Sequence, residues 1–274
     1  MQIVRDLAGG AKPPAIEVFY NAQSDADASE TKYKGSLCKL MDWDSAVGIQ
    51  VTHMAEATAN ESVFGILEEE VSGASGYLLN DTSYGAVVRK VTPLLPTSIV
   101  RAEYSQKDAA GTANTESTCT GSAAGTTITG TTTDIDTDDL MIGGWLYFLT
   151  GANAGYLHYC TDSADSGETI TIATALAGTL AATDTLLAIC PPMTLWLLYD
   201  ATATGIKSTI DDGARTMPVM GLMHYIKAPG IPFQRLDRNL HDGLKIENAR
   251  FYHDFIIGGS ATLGNVWRDT IVRA

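Results

Sequence analysis

The residues of this chain whose types and spacing come nearest to a known chemistry are the carboxylates of Asp134-Ile135-Asp136-Thr137-Asp138-Asp139. Alternating acids on a turn offer several hard oxygens at once, which is what Ca²⁺ or Mg²⁺ takes. Asp134, Asp136 and Asp138 are therefore the candidate cation ligands. The spacing then departs from a calcium loop, because Asp139 stands where the sharp turn needs glycine and Trp145 where a bidentate glutamate closes the site. A solvated, acidic entry to a strand is the plainer reading, and no metal or other cofactor is expected.

The other reactive side chains are dispersed. His53, His158, His224, His241 and His253 stand singly, whereas a catalytic imidazole needs a nucleophile and an orienting partner. The chain holds no G-x-S-x-G, H-E-x-x-H or G-x-x-x-x-G-K-[ST] unit. No enzyme is expected. Cys38, Cys119, Cys160 and Cys190 make no C-x-x-C pair and read as reduced, half-buried thiols, with a Cys160–Cys190 bridge left open. Trp43, Trp145, Trp196 and Trp267 lie mostly within strand-like runs, where packing accounts for them. A sugar- or receptor-binding surface built on Trp145 is the alternative.

Charge divides the chain. Its 274 residues carry a formal −14, which argues against nucleic acid or an anionic membrane as a partner. Between Lys107 and Lys207 there is no lysine or arginine, and eleven acids give that stretch −11, against −5 before it and +2 from Lys207 onward. A break this sharp marks an inserted unit. The N-terminal MQIVRDLAGGAKPP lacks a signal pattern, and the apolar run 186–199 is broken by Pro191 and Pro192 and falls short of the roughly 20 residues that cross a bilayer. Synthesis in a cytoplasm, without a membrane partner, is the expectation.

The elements that must position these residues read as strands. Short alternating runs recur at 37–40, 46–51, 62–67, 87–91 and 98–104, with Pro93 and Pro96 excluding a helix between the last two. Within the acidic stretch the runs are 144–149, 156–160, 169–173 and 184–189, separated by glycine, asparagine and aspartate turns, which describes a small barrel or sandwich. Further runs follow at 194–199, 217–226, 244–257 and 266–273, around a loop at Pro229-Gly230-Ile231-Pro232. The one helix candidate is short, His53 to Asn60. Gly9, Gly10, Pro13, Pro14 and the polar run Ser24 to Glu30 deny residues 1–31 regular packing, apart from one edge strand at 16–20. The expected fold is all-β: an extended N-terminal arm (1–31), a main β domain of sandwich or barrel type (32–108 and 201–274), and an inserted acidic, Thr/Gly-rich β-barrel (109–200).

Two sets of residues carry a resemblance. Tyr33-Lys34-Gly35-Ser36-Leu37-Cys38-Lys39-Leu40, Ala46-Val47-Gly48 and Val63-Phe64-Gly65-Ile66-Leu67-Glu68 resemble bacteriophage head decoration proteins, with Ser36 in place of an aspartate. Gly143 to Phe148, Gly151-Ala152-Asn153-Ala154-Gly155, Ile170-Thr171-Ile172 and Asp184 are similar to a small β module of tailed-phage head and tail proteins. The resemblance implies a virion protein, a capsid decoration or cement subunit, trimeric and seated on the phage major capsid protein at the capsid surface. It places the lattice interface in the arm, at Ile16, Val18, Phe19 and Tyr20, and in the mixed-charge C-terminal region, with the acidic unit projecting outward. A tail-tube or head–tail connector subunit is the rival role within the same particle. A major capsid subunit would need a long spine helix, for which the sequence offers no candidate.

Overall fold

A computed structural model of the chain describes residues 2–6, 10–20, 34–44, 48–53, 63–70, 87–95, 97–104, 119–130, 138–139, 141–189, 191, 196–198, 206–207, 216–218 and 220–256. Its strands are β1 (Gln2–Asp6), β2 (Ile16–Tyr20), β3 (Leu37–Asp44), β4 (Gly48–His53), β5 (Val63–Leu67), β6 (Val87–Pro93), β7 (Ser98–Glu103), β8 (Thr127–Thr129), β9 (Trp145–Phe148), β10 (Tyr156–Ala164), β11 (Thr169–Ile172) and β12 (Leu186–Ile189). They continue as β13 (Trp196–Leu198), β14 (Ile206–Lys207), β15 (Thr216–Pro218), β16 (Met220–Ala228) and β17 (Ile231–Arg235). A one-turn helix α1 (Arg238–His241) precedes β18 (Leu244–Lys245) and β19 (Arg250–Ile256). The protein is all-β, of barrel and sandwich type.

Five strands close a barrel in the order β2-β4-β3-β5-β6. Closure pairs every strand edge, so none is left as a template for other chains. Gly65 on β5 is there because a Cβ would lie 2.5 Å from the Thr92 carbonyl oxygen of β6. A second, antiparallel sheet runs β1-β7-β19-β16-β17 and brings residues 2–6 together with residues 220–256. The acidic segment forms the third, β12-β9-β10-β11-β8, with β18 joining β10. β13 pairs β14 and β15 in a small separate sheet.

Side-chain alternation explains how these sheets stack. Successive residues of a strand point to opposite faces. On β9, Trp145 and Tyr147 enter a core shared with Val100, Ala102, Tyr104, Ile226, Phe251 and Phe255 of the five-stranded sheet. Leu146 and Phe148 point the other way, into a core with Ile128, Ile170 and Ile172. β12 repeats the division, Leu187 and Ile189 on the shared side and Leu186 and Ala188 on the other. All four residues of each strand are buried as a result. The barrel joins through Leu37 and Ile66, which enter the shared core while their neighbours Cys38 and Leu67 fill the barrel with Val18, Tyr20, Val51 and Val91. At about 1.5–3 kcal/mol for each large apolar side chain buried, this shared core is the main fastening of the molecule.

Polar contacts fix the joint. The Asp237 carboxylate caps α1 by accepting from the Asn239 N–H at 2.8 Å. Just past the helix, Asp242 accepts from the Tyr159 N–H at 2.7 Å and from the Thr174 hydroxyl, while the Gly243 N–H donates to the Leu157 carbonyl. The Tyr147 hydroxyl donates to the Ile246 carbonyl at 2.9 Å. Residues 237–246 therefore bind the acidic unit to the rest of the chain.

Several expectations change. Residues 2–6 and 16–20 are not a free arm: β1 pairs β7 and β2 pairs β6, because their partners, Arg101 for Gln2 and Val91 for Ile16, lie far downstream where no local pattern reveals them. The loop expected around Pro232 is a turn at Pro229 and Gly230 followed by β17, in which Pro232 is tolerated on the sheet's outer edge. His53 ends β4; residues 54–60 of the helix candidate, residues 21–31 of the arm and the expected terminal strand at 266–273 lie outside the described residues.

Candidate functional site

The five-stranded sheet has one face on the shared core, and its other face is chemically distinctive. Arg101 of β7 stands opposite Asp254 of β19 in register, and the two form a bidentate pair, Nε to Oδ1 at 2.6 Å and Nη2 to Oδ2 at 2.8 Å. The guanidinium lies against a pair of stacked rings, 4.4 Å from the centre of Tyr225 and 4.5 Å from that of Phe233, which are themselves 5.0 Å apart. Phe233 also meets Tyr252 edge-on at 5.4 Å. Asp254's hydrogen bonds hold Arg101 more firmly protonated than a free arginine, and burial beside that carboxylate pushes the Tyr225 phenol up. Arg250 and Glu103 pair at 3.4 Å on the same face, and register places Lys227 and Arg235 there as well. Phe233 is 38% exposed. This is a preorganised, cation-rich aromatic surface.

On the inner face of that sheet packs the acidic unit, four of whose acids gather at one hairpin. The Asp138 carboxylate accepts from the Asp165 N–H at 3.0 Å, the Asp139 N–H donates to the Ser163 carbonyl, and the Glu168 N–H donates to the Asp165 carbonyl. Asp138, Asp139, Asp165 and Glu168 are all exposed around the β10–β11 hairpin.

A second candidate surface is the barrel's outer wall. Phe19 and Val88 face each other across β2 and β6 and point away from the barrel core; Val88 is 46% exposed and Phe19 half-buried. Val18 and Tyr20, their neighbours in sequence, point inward at 2% and 1% exposure, and Ile16 packs against the same core. Of the four interface candidates read from the sequence, only Phe19 is thus presented outward. The correction follows from alternation along β2, which sends adjacent residues to opposite faces.

Two clefts border the acidic unit, the first against the five-stranded sheet and the second against residues 245–249. One, of about 230 Å³, is lined by Trp145, Tyr159, His224, Met223, Asp237 and Arg238, with Arg238 over the Tyr159 ring at 4.9 Å. The other, of about 380 Å³, lies beside Tyr147, Lys245 and Asn248. Behind the first, the rings of His224 and His253 meet edge to face at 4.4 Å, with Tyr104 about 6 Å from both. His253 is fully buried and neither of its ring nitrogens has a hydrogen-bond partner; burial, reinforced by His224, holds it well below the usual imidazole range. His158 is likewise buried, edge-on to Phe148, and burial lowers it against the opposing pull of Asp242 and the Thr174 backbone. His241 is buried differently: its Nδ1 accepts from the Asp237 N–H and its Nε2 meets the Gln234 amide. These imidazoles are packing residues of the two cores and of the joint.

The remaining candidates disperse. Asp134 and Asp136 lie outside the described residues, and Asp138 serves the hairpin contact above. Among the described residues no group of three or more histidines, cysteines or acids is placed to hold a metal ion. Trp145 is 3% exposed, which removes it as a stacking surface for a sugar. Cys38, Cys119 and Cys160 are buried thiols, and burial pushes Cys38 up to about 12; Cys190 lies outside the described residues. Among the described residues no helix is long and apolar enough to cross a membrane. The Arg101–Asp254–Tyr225–Phe233 cluster was missed because its members come from four strands, and only the alternation of Tyr252 and Asp254 with buried Phe251 and His253 signals an outward face.

What the fold and surfaces define is a class, a layered all-β protein with two poles of opposite character. No protein-family model, curated protein or solved structure matches the chain.

Proposed function

We propose that this chain is a structural subunit of a tailed-phage particle, a decoration subunit that seats on the capsid lattice through the outer wall of its barrel. The observation that carries this reading is the outward Phe19–Val88 pair, an apolar contact on the wall of a closed barrel. Support comes from the residues of the resemblance. Gly151, Asn153 and Asp184 work together: Asn153 is fully buried and pairs both ways with the Gly178 backbone, and a Cβ on Gly151 would fall 2.2 Å from the Asp184 carboxylate. That clip stiffens the acidic unit from within, which suits a subunit on a particle surface, where negative charge deters nonspecific contacts. Many weak copies bound to one lattice need little affinity each.

Co-sedimentation tests the reading. The purified protein should pellet with phage capsids that lack their decoration subunits, and Phe19→Asp with Val88→Asp should remain in the supernatant while keeping its circular dichroism. Wild-type protein that ignores such capsids, or a double variant that binds undiminished, would refute it.

A further inference from the structure

We infer that the outer face of the five-stranded sheet is an interface between copies of this chain, its occupant being the acidic unit of a second copy bound head to tail. The inference does not rest on the particle reading, which is tested through the barrel.

Charge complementarity carries it. In a chain of net −14 most surfaces repel a second copy. The outer sheet face reverses that sign: Arg101, Lys227, Arg235 and Arg250 stand there against Glu103 and Asp254. The acidic unit is its complement, since 119–189 contain no lysine or arginine at all and gather Asp138, Asp139, Asp165 and Glu168 at one hairpin. The two surfaces are distinct, because the acidic sheet packs on the inner face of the sheet whose outer face is cationic. A surface that meets a different surface of its twin generates a ring or a stack according to the rotation between copies.

The residue types agree with docking. Tyr225, Phe233 and Tyr252 are half-exposed aromatics around an arginine, a composition enriched at interface centres. Asp254 and the two rings already hold Arg101 in one geometry, so little side-chain freedom remains to be lost on contact. Size sets the strength. Four strands about 4.8 Å apart, each exposing a few residues, present roughly 300 Å², well under the ~800 Å² per partner of a stable complex. The contact is therefore weak, and visible at high concentration.

Salt gives it a signature. At about 10 mM salt the Debye length is ~30 Å and whole-molecule repulsion acts; at 0.15 M it is ~8 Å and contact charges dominate; at 1 M, ~3 Å, these too are screened. Sedimentation velocity over a concentration series should show association that is greatest near 0.15 M NaCl and falls at both extremes. Lys227→Glu with Arg250→Glu should lower association at least tenfold, and Asp165→Lys with Glu168→Lys should do the same. An equimolar mixture of the two double variants should associate again, as pairs carrying one reversed surface each. All four positions are exposed, so unchanged circular dichroism and denaturation midpoints will confirm folding. A monomer at every concentration and salt would overturn the inference. So would reversed variants that associate like the wild type, or a mixture that fails to recover.

Discussion

On β9 both faces carry apolar side chains and both are covered, Trp145 and Tyr147 by the five-stranded sheet and Leu146 and Phe148 by β8 and β11. On β19 one face is sealed, with Phe251 and Phe255 in the shared core, and the other is mixed: Arg250 and Tyr252 reach solvent beside Arg101, while Asp254 and Ile256 are buried. A layer filled on both sides has no surface left for a partner and serves to fasten. A layer filled on one side must keep its other face soluble, and here it does so with an ion pair and aromatic rings. Stability in this molecule is concentrated in the first layer, and the second is where the inferred contact between copies is to be tested.

The largest test of that division is Phe148→Ala. Phe148 is fully buried, so its loss should destabilise the protein by about 3–5 kcal/mol. Because β9 carries both cores, urea denaturation followed by tryptophan fluorescence and by circular dichroism should give coincident curves. Separate transitions would mean that the acidic unit is an independent domain after all. Acid is the next lever. His158 and His253 are held below their unfolded value near 6.5, so the unfolded chain binds more protons once the pH drops past it. Stability should be full above pH 7 and fall below about pH 6.5, each imidazole adding a slope of up to about 1.4 kcal/mol per pH unit while it stays neutral in the fold. Replacing both by phenylalanine should flatten the curve across pH 5–6.5 in denaturation experiments. Asp254→Ala acts on the other layer. It strands the Arg101 guanidinium and should cost about 1.5–3 kcal/mol, with no change in how the two cores unfold together. The smallest effect is expected for Gly151→Ala, at about 1–2 kcal/mol from its positive φ of 77°, increased if the Asp184 carboxylate cannot give way.

Much of the fastening layer was legible locally. The runs at 144–149, 156–160, 169–173 and 184–189 became β9, β10, β11 and β12, since alternating or wholly apolar runs between glycine and aspartate turns have few other solutions. The strands of the barrel were equally visible, and so were the bounds of β7. Pairing was not. That β1 adds to β7, or that residues 2–6 and 250–256 share one sheet, depends on contacts between residues such as Ile3 and Val100, to which periodicity is blind. β8 was hidden in a threonine-rich stretch with only Ile128 to mark its buried side. The interface residues split for the same reason. The residues of β2 were singled out together as an arm, yet strand geometry turns Val18 and Tyr20 inward and leaves Phe19 outside.

One consequence of the two-sided layer concerns time rather than energy. β9 is hydrogen-bonded to β10 on one edge and β12 on the other, and both of its faces are sealed. Solvent reaches its amides only when two cores part at once, which ties local opening there to global unfolding. In D₂O the amides of residues 145–148 should be the last in the molecule to exchange, and their rate should serve as a clock for the lifetime of the entire fold.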